Sequence, residues 1–358
     1  MNNTVKPKKL KTDTKFEIIR FAAAIGISIS LAFIIILFVS DDPMLAIQKL
    51  FLGPIESTRR FGNVIELAIP LTFAGLAISV MFKANQFNMG AEGAFFIGAV
   101  MAAIVAIKIP LPPFIHPVFA ILIAGLVGGI VCAIPAVLKV KWGASELVSS
   151  LMLNYVFFNL GIYIINNKLR DVNAGAMASV EFEPSAMLTK LVPKTRIHMG
   201  IFIVIVTAII VYLFLNRTKR GYDLRMTGYN MNFAKYSGIK TTAVILYSQF
   251  IGGFIAGIGG ATEMLGMYSR FKWQALPGYG FDGIIVAILA KNNPVLVPVA
   301  AFFLAYLRIG ADRMGSATDL TYEMVSIIQG VIIMLIAAQS FLAKYKQRMV
   351  VKEAKIDE

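Results

Sequence analysis

Repeated apolar runs of nearly bilayer length constrain this chain more than any other feature. A helix needs about 20 mostly apolar residues to cross the hydrocarbon core of a membrane. Inside that core the backbone must satisfy its own hydrogen bonds, which restricts a spanning segment to a helix or a closed barrel. Runs of this kind occupy 21–39, 64–82, 89–107, 118–138, 147–165, 199–215 and 243–262, and further runs follow at 283–290, 295–309 and 322–338. The run at 283–290 is only half a span. It ends at Lys291, Asn292, Asn293 and Pro294, where proline stops a helix, and it counts as part of a crossing that begins near Tyr279. The expectation is an all-α integral membrane protein of about ten transmembrane helices, at least one of them broken.

Composition agrees. Of the 358 residues 58% are hydrophobic and 15% charged, where a soluble domain is about a quarter charged. The net charge of +14 does not signal nucleic-acid binding, because the basic residues sit in short loops and tails rather than on a folded polar face. They read as topology determinants and contacts with anionic lipid. Ten crossings put both termini on one side, and most of the 34 Lys and Arg then fall on that side, which predicts cytoplasmic N and C termini. The predicted organisation is a basic cytoplasmic tail at 1–20, one transmembrane domain at 21–340 and a second cytoplasmic tail at 341–358. The apolar run after the N-terminal tail is too long for a cleavable signal peptide and lacks a small-residue cleavage pattern. The single cysteine, Cys132, lies in an apolar run and reads as packing.

The longest polar interruption deep in the chain is 216–241. It carries Arg217, Lys219, Arg220, Arg225, Lys235 and Lys240 against one acid, Asp223. Its second half, 230–238, reads as a short helix with Asn230 as N-cap and Gly238 at the stop. Phe233 and Tyr236 share a face of that helix. Spacing alone leaves two readings, a solvated basic loop or a helix that plugs into a partner's groove. The loop at 166–198 is the largest extracytoplasmic piece. It contains a weakly amphipathic stretch at 186–192 and reads as a cover for a pore mouth, a meeting place for a substrate-delivery protein, or a polar connector.

Three further stretches carry polar groups at membrane depth. In 82–98, FKANQFNMGAEGAFFIG, a span ends, turns and re-enters with Glu92 near a helix start, where the dipole favours an anion and the carboxylate can cap its own helix. In 138–155, LKVKWGASELVSSLMLNY, Lys139 and Lys141 mark one end, and Ser145 can cap a helix with Glu146 in its first turn. In 252–290, small residues such as Gly253 and Gly257 allow close helix approach. Trp273, Tyr279 and Asp282 then surround Pro277 and Gly278, where an interrupted helix can line a cavity. There is no phosphate-binding G-x-x-x-x-G-K-[ST] loop, no H-E-x-x-H and no G-x-S-x-G, and His116 and His198 lie far apart. Catalytic and metal-ligating residues are therefore expected to be absent.

Together these motifs resemble the permease subunits of bacterial ABC importers of the simple sugar and nucleoside branch. Phe87, Asn88, Gly90, Glu92 and Gly93 match an FNxGxEG signature; Glu146, Met152, Asn154 and Tyr155 match a second; 278–290 matches a third; and Gly221, Arg225, Gly228, Asn230, Ala234, Tyr236 and Gly238 match the cytoplasmic coupling loop. The resemblance implies that this loop docks on a separate ATP-binding subunit, so the chain needs no cofactor of its own. It also implies a second permease subunit, identical or homologous, an extracytoplasmic substrate-binding lipoprotein, and location in the bacterial cell membrane. It points to a nucleoside as substrate, with a simple sugar as alternative. Substrate-path candidates are Phe87, Asn88, Glu92, Asn154, Tyr155, Gln249, Trp273 and Asp282, which offer aromatic faces and hydrogen-bonding groups. A different class, an ion-coupled secondary transporter, would use Glu66, Glu92, Glu263 and Asp282.

Overall fold

The computed structural model describes residues 30, 33, 34, 36–38, 40–175 and 177–337. The expected first span, 21–39, falls mostly outside them, and the tails at 1–20 and 341–358 fall wholly outside. The described residues are helical, with two isolated β-bridges and no strand. The helices are α1 (Pro43–Leu52), α2 (Thr58–Lys83), α3 (Ala91–Lys108), α4 (Ile115–Trp142), α5 (Glu146–Ile164), α6 (Gly200–Arg217), α7 (Lys219–Tyr229), α8 (Met231–Tyr236), α9 (Thr241–Met267), α10 (Tyr279–Leu289), α11 (Val297–Ala317) and α12 (Tyr322–Ala337). By length and composition, α2 to α6 and α9 are long and apolar enough to cross a membrane.

Local sequence sets several of these boundaries. Ser57 caps α2, its Oγ accepting from the Arg60 amide at 3.3 Å, and Ser145 caps α5 by accepting from the Val148 amide at 3.5 Å. The chain divides into two compact units, one of residues 55–306 and one of residues up to Pro54 together with those from Leu307. In the smaller unit Asp42 caps α1 by accepting from the Leu45 amide at 3.1 Å. Asp319 accepts from the Ser40 hydroxyl at 2.7 Å and the Asp41 amide at 3.0 Å.

In the larger unit α2, α3 and α9 form the interior, and most of their residues are buried. The outer faces of α5 and α6 carry exposed apolar side chains such as Met152, Val156, Phe202, Ile205, Val206 and Ile209. An exposed apolar belt on two helices of spanning length is a surface built for lipid. The close approach expected at Gly253 and Gly257 is present. A Cβ on Gly253 would run into the Gly128 carbonyl, and one on Gly257 into the Ala124 carbonyl, so α4 and α9 pack backbone to backbone.

The loop at 166–198 is stitched to the end of α9 and the segment after it by main-chain bonds. Ser179 donates its amide to the Phe271 carbonyl at 3.1 Å, Phe182 to Ser269 at 2.9 Å, and Leu188 to Leu265 at 3.0 Å. Arg270 adds ion pairs to Asp171 at 3.1 Å and Glu181 at 2.6 Å. The amphipathic stretch at 186–192 is not helical beyond a single turn at Pro184–Ala186. His198, in this loop, is buried; its Nδ1 accepts from the Gly200 amide at 3.1 Å, and burial pushes its pKa down to about 4, so the ring is neutral at physiological pH.

Candidate functional site

Two features carry the chemistry of the larger unit, an embedded polar joint and a basic elbow. The joint is built on residues 84–93. Lys83 ends α2, and the chain then turns through Asn85 at φ 55°. Asn88 donates from Nδ2 to the Cys132 carbonyl at 3.0 Å and to Gln249 Oε1, while its Oδ1 accepts from the Gly90 amide at 2.6 Å. Gln249 lies about 12 Å along α9, which starts at Thr241, so the turn is sunk well into the bundle.

Each main-chain group of this sunken turn needs a partner, because an unpaired one is costly without water. Helix α5 supplies three. Glu146 Oε1 accepts from the Phe87 amide at 2.7 Å, Ser150 Oγ accepts from the Met89 amide at 3.0 Å, and Asn154 bridges Gly93 and Met89, accepting at 2.9 Å and donating at 3.0 Å. Glu146 is in turn satisfied by Lys139 at 3.1 Å and by Gln249 Nε2 at 2.8 Å. The pairing of Lys139 with Glu146 gives a physical reason for a basic residue shortly before this acid in the second motif. Ser150 was not singled out in the sequence; a serine within an apolar helix is its only signal.

Glu92 does not cap its own helix, as the sequence suggested. The N-cap of α3 is Gly90. Glu92 instead reaches the start of the half-span α10, where Oε1 accepts from the Gly278 amide at 2.7 Å and Oε2 from the Gly280 amide at 2.6 Å. It is fully buried. The N-terminal end of a broken helix, which carries partial positive charge, is thus filled by a carboxylate from within the chain. Asp282 follows in the first turn of α10 and is buried. Trp273 sits in an aromatic cluster beside this end, with ring centroids 6.2 Å from Phe95, 5.9 Å from Phe271 and 6.0 Å from Tyr268; Phe95 also meets Tyr279 at 5.2 Å.

The structure therefore gathers Asn88, Glu92, Asn154 and Gln249 into one buried framework, with Asp282 and Trp273 at its edge. It sets Phe87 and Tyr155 apart. Phe87 is half exposed against Phe82, 5.1 Å away, and Tyr155 lies on the lipid-type face of α5. Glu66 on α2 and Glu263 on α9 are buried and hydrogen-bonded to each other, with Tyr279 as a further partner of Glu263.

The elbow is residues 216–241. Its second half folds as the sequence predicted: Asn230 Oδ1 accepts from the Phe233 amide at 3.0 Å, α8 follows, and Gly238 at φ +82° lets Ile239 donate to the Ala234 carbonyl at 3.0 Å. Its first half is also a helix, α7, started by Thr218, whose Oγ1 accepts from the Gly221 amide at 3.0 Å. Gly221 lies against the Phe214 carbonyl and Gly228 against that of Lys83, so α7 seats directly on the ends of α6 and α2. Gly221 and Ala234 are buried. Arg225 is half-buried, its Nε has no hydrogen-bond partner among the described residues, and Lys83 is the charge it acts on. Asn230, Phe233, Tyr236 and Gly238 are exposed, as is Tyr229, which the sequence reading passed over.

The family model described as branched-chain amino acid transport system / permease component matches residues 60–337. The chain belongs to this family. Several individual relatives of this permease are ABC transporter permease proteins by name. It is 30% identical over 315 residues to the glucose ABC transporter permease protein TsgB13 of Haloferax volcanii, spanning 85% of this chain and 83% of that one. It is 32% identical over 280 residues to the guanosine ABC transporter permease protein NupP of Bacillus subtilis, spanning 77% and 80%. With the nucleoside ABC transporter permease protein NupB of Lactococcus lactis the identity is 26% over 327 residues, spanning 88% and 89%. The relatives are transport components of ABC systems, not enzymes, and the permease has the apolar helices of a multi-pass membrane protein.

Proposed function

We propose that this permease forms the membrane path of an ABC importer that carries a nucleoside inward, driven by a separate ATP-binding subunit. The observation that carries this reading is the elbow. Exposed aromatics Tyr229, Phe233 and Tyr236 stand on a rigid pair of short helices seated on the ends of α6 and α2. A push on that surface acts on two membrane-length helices directly. The chain would cross the membrane ten times with both termini in the cytoplasm, pair with a second permease subunit, and receive solute from a binding lipoprotein at the 166–198 loop.

Nucleoside is favoured by the names of NupP and NupB, and by the aromatic cluster of Trp273, Phe95 and Tyr279 beside Asp282. A base needs a ring to stack on, and ribose hydroxyls need polar groups. A simple sugar is the second reading, favoured by TsgB13. The test is ATP-driven uptake of labelled guanosine by vesicles holding the permease, its ATP-binding subunit and its binding protein. Excess uridine is expected to compete and excess glucose or ribose is not; uptake of labelled glucose or ribose by the same vesicles, with no uptake of guanosine, would establish the sugar reading instead.

A further inference from the structure

A cavity of about 1000 Å³ opens between α4, α7, α8 and α9. Its rim is cationic. Lys219 and Arg220 come from the first turn of α7 and Lys240 from the residue before α9, and all three are exposed. Asp223 also lines the cavity, so its charged groups sum to two positive charges, three cations less one acid. The floor is different in kind. Val244, Leu246 and Phe250 descend along α9, and Ala133 closes the space from α4. Phe250 lies about 13 Å along α9 from Thr241. Both α9 and α4 have the length and composition of membrane-crossing helices. The cavity thus runs from charged residues to apolar side chains about 13 Å along a helix of membrane-crossing length. Tyr247 fixes rim to floor, its hydroxyl donating to the Arg220 carbonyl at 2.8 Å.

We propose that this cavity binds an anionic phospholipid, with the headgroup phosphate at Lys219, Arg220 and Lys240 and the upper acyl chain against Phe250 and Ala133. Charge complementarity selects the occupant. A water-soluble protein does not reach the depth of Phe250. A free anion leaves the apolar floor uncovered, and a zwitterionic lipid brings no net charge to the rim. A lipid seated there wedges the elbow against α9, so the stiffness of the contact with the energising subunit depends on membrane composition. The proposal does not require the nucleoside reading, and its test is independent of which solute is carried.

The experiment is native mass spectrometry of the purified full-length permease, offered phosphatidylglycerol and phosphatidylcholine together. Wild type is expected to retain phosphatidylglycerol in preference. Lys219→Gln with Lys240→Gln should lower that preference about twenty-five-fold, each lysine facing an anionic lipid being a factor of about five. Ala133→Phe fills the floor and should remove the bound lipid with the rim intact. Leu246→Trp repeats the filling from α9, and thermal unfolding identifies which of the two variants is folded. Retention unchanged in the charge variant, or in a folded filling variant, would overturn the proposal. So would displacement of the lipid by inorganic phosphate at equal concentration, which marks a plain anion site. Release of the lipid when the ATP-binding subunit or a second permease copy binds would also overturn it, because the cavity then belongs to a protein contact.

Discussion

At the scale of single residues, Glu92 ties the start of α3 to the start of α10. Both carboxylate oxygens accept main-chain amides, one from the N-cap Gly278 and one from Gly280 in the first turn of α10, and no part of the residue is exposed. Hydrogen bonds to charged acceptors contribute about 1.5–3 kcal/mol each, and a buried donor left without a partner is the dearer half of that sum. Glu92→Ala is therefore expected to lower stability by about 3 kcal/mol, and Glu92→Gln, which keeps one good acceptor, by roughly half as much. Thermal unfolding of the purified permease in lipid nanodiscs checks this; equal melting temperatures for wild type and Glu92→Ala would contradict it. The sequence showed that a carboxylate at this depth needs a reason. It did not show the reason, because Gly278 and Gly280 lie far along the chain and nothing local distinguishes a cap of α3 from a cap of α10. The same holds for Asn88 and Gln249, legible one by one as buried polar groups and illegible as a pair.

At the scale of elements, apolar length and small-residue spacing did most of the work. The described spans fall on the runs of apolar residues, because chain length against bilayer thickness leaves little freedom, but α2 begins six residues before its run, α9 ends five residues after its run and α11 ends eight residues after its run. The glycine face of α9 was legible for a related reason: repeated small residues in an apolar helix have few uses other than close approach. Gly257→Leu should disrupt the α4–α9 contact, since even a Cβ there meets the Ala124 carbonyl. Overpacking of this kind costs about 1–3 kcal/mol, and the loss should appear as a lower melting temperature and weaker protection of α4 amides from exchange. Helix α7 was missed. Two glycines in an eleven-residue segment argue against a helix by propensity, and only tertiary contact reveals that Gly221 and Gly228 are there to seat it on α6 and α2. Helix α1 was missed because ten residues with few polar signals look like a connector.

At the scale of the whole molecule, the proposed function makes the elbow the surface through which outside work enters. Tyr229 and Tyr236 are 87% and 92% exposed and Phe233 is 54% exposed, values that make sense for rings awaiting a partner rather than for a folded core. Phe233→Ala with Tyr236→Ala is expected to weaken capture of the ATP-binding subunit by about 10–100-fold, in keeping with aromatic anchors of about 1–2 kcal/mol each, and to leave the melting temperature unchanged. Pull-down of the subunit with tagged permease measures the first, and a thermal melt the second. Gly238 behaves differently: its φ of +82° means that any side chain there strains the end of α8 itself, so a weakened complex in that variant mixes docking with local refolding.

Beside the Arg270 ion pairs and the Phe271 amide bond to the Ser179 hydroxyl, the stitching of 166–198 onto 265–271 runs through main-chain atoms. That main-chain part of the seam is blind to the identity of its side chains, proline excepted. Side chains of this flap outside the Arg270 pairs and Ser179 can therefore change without loosening the hem.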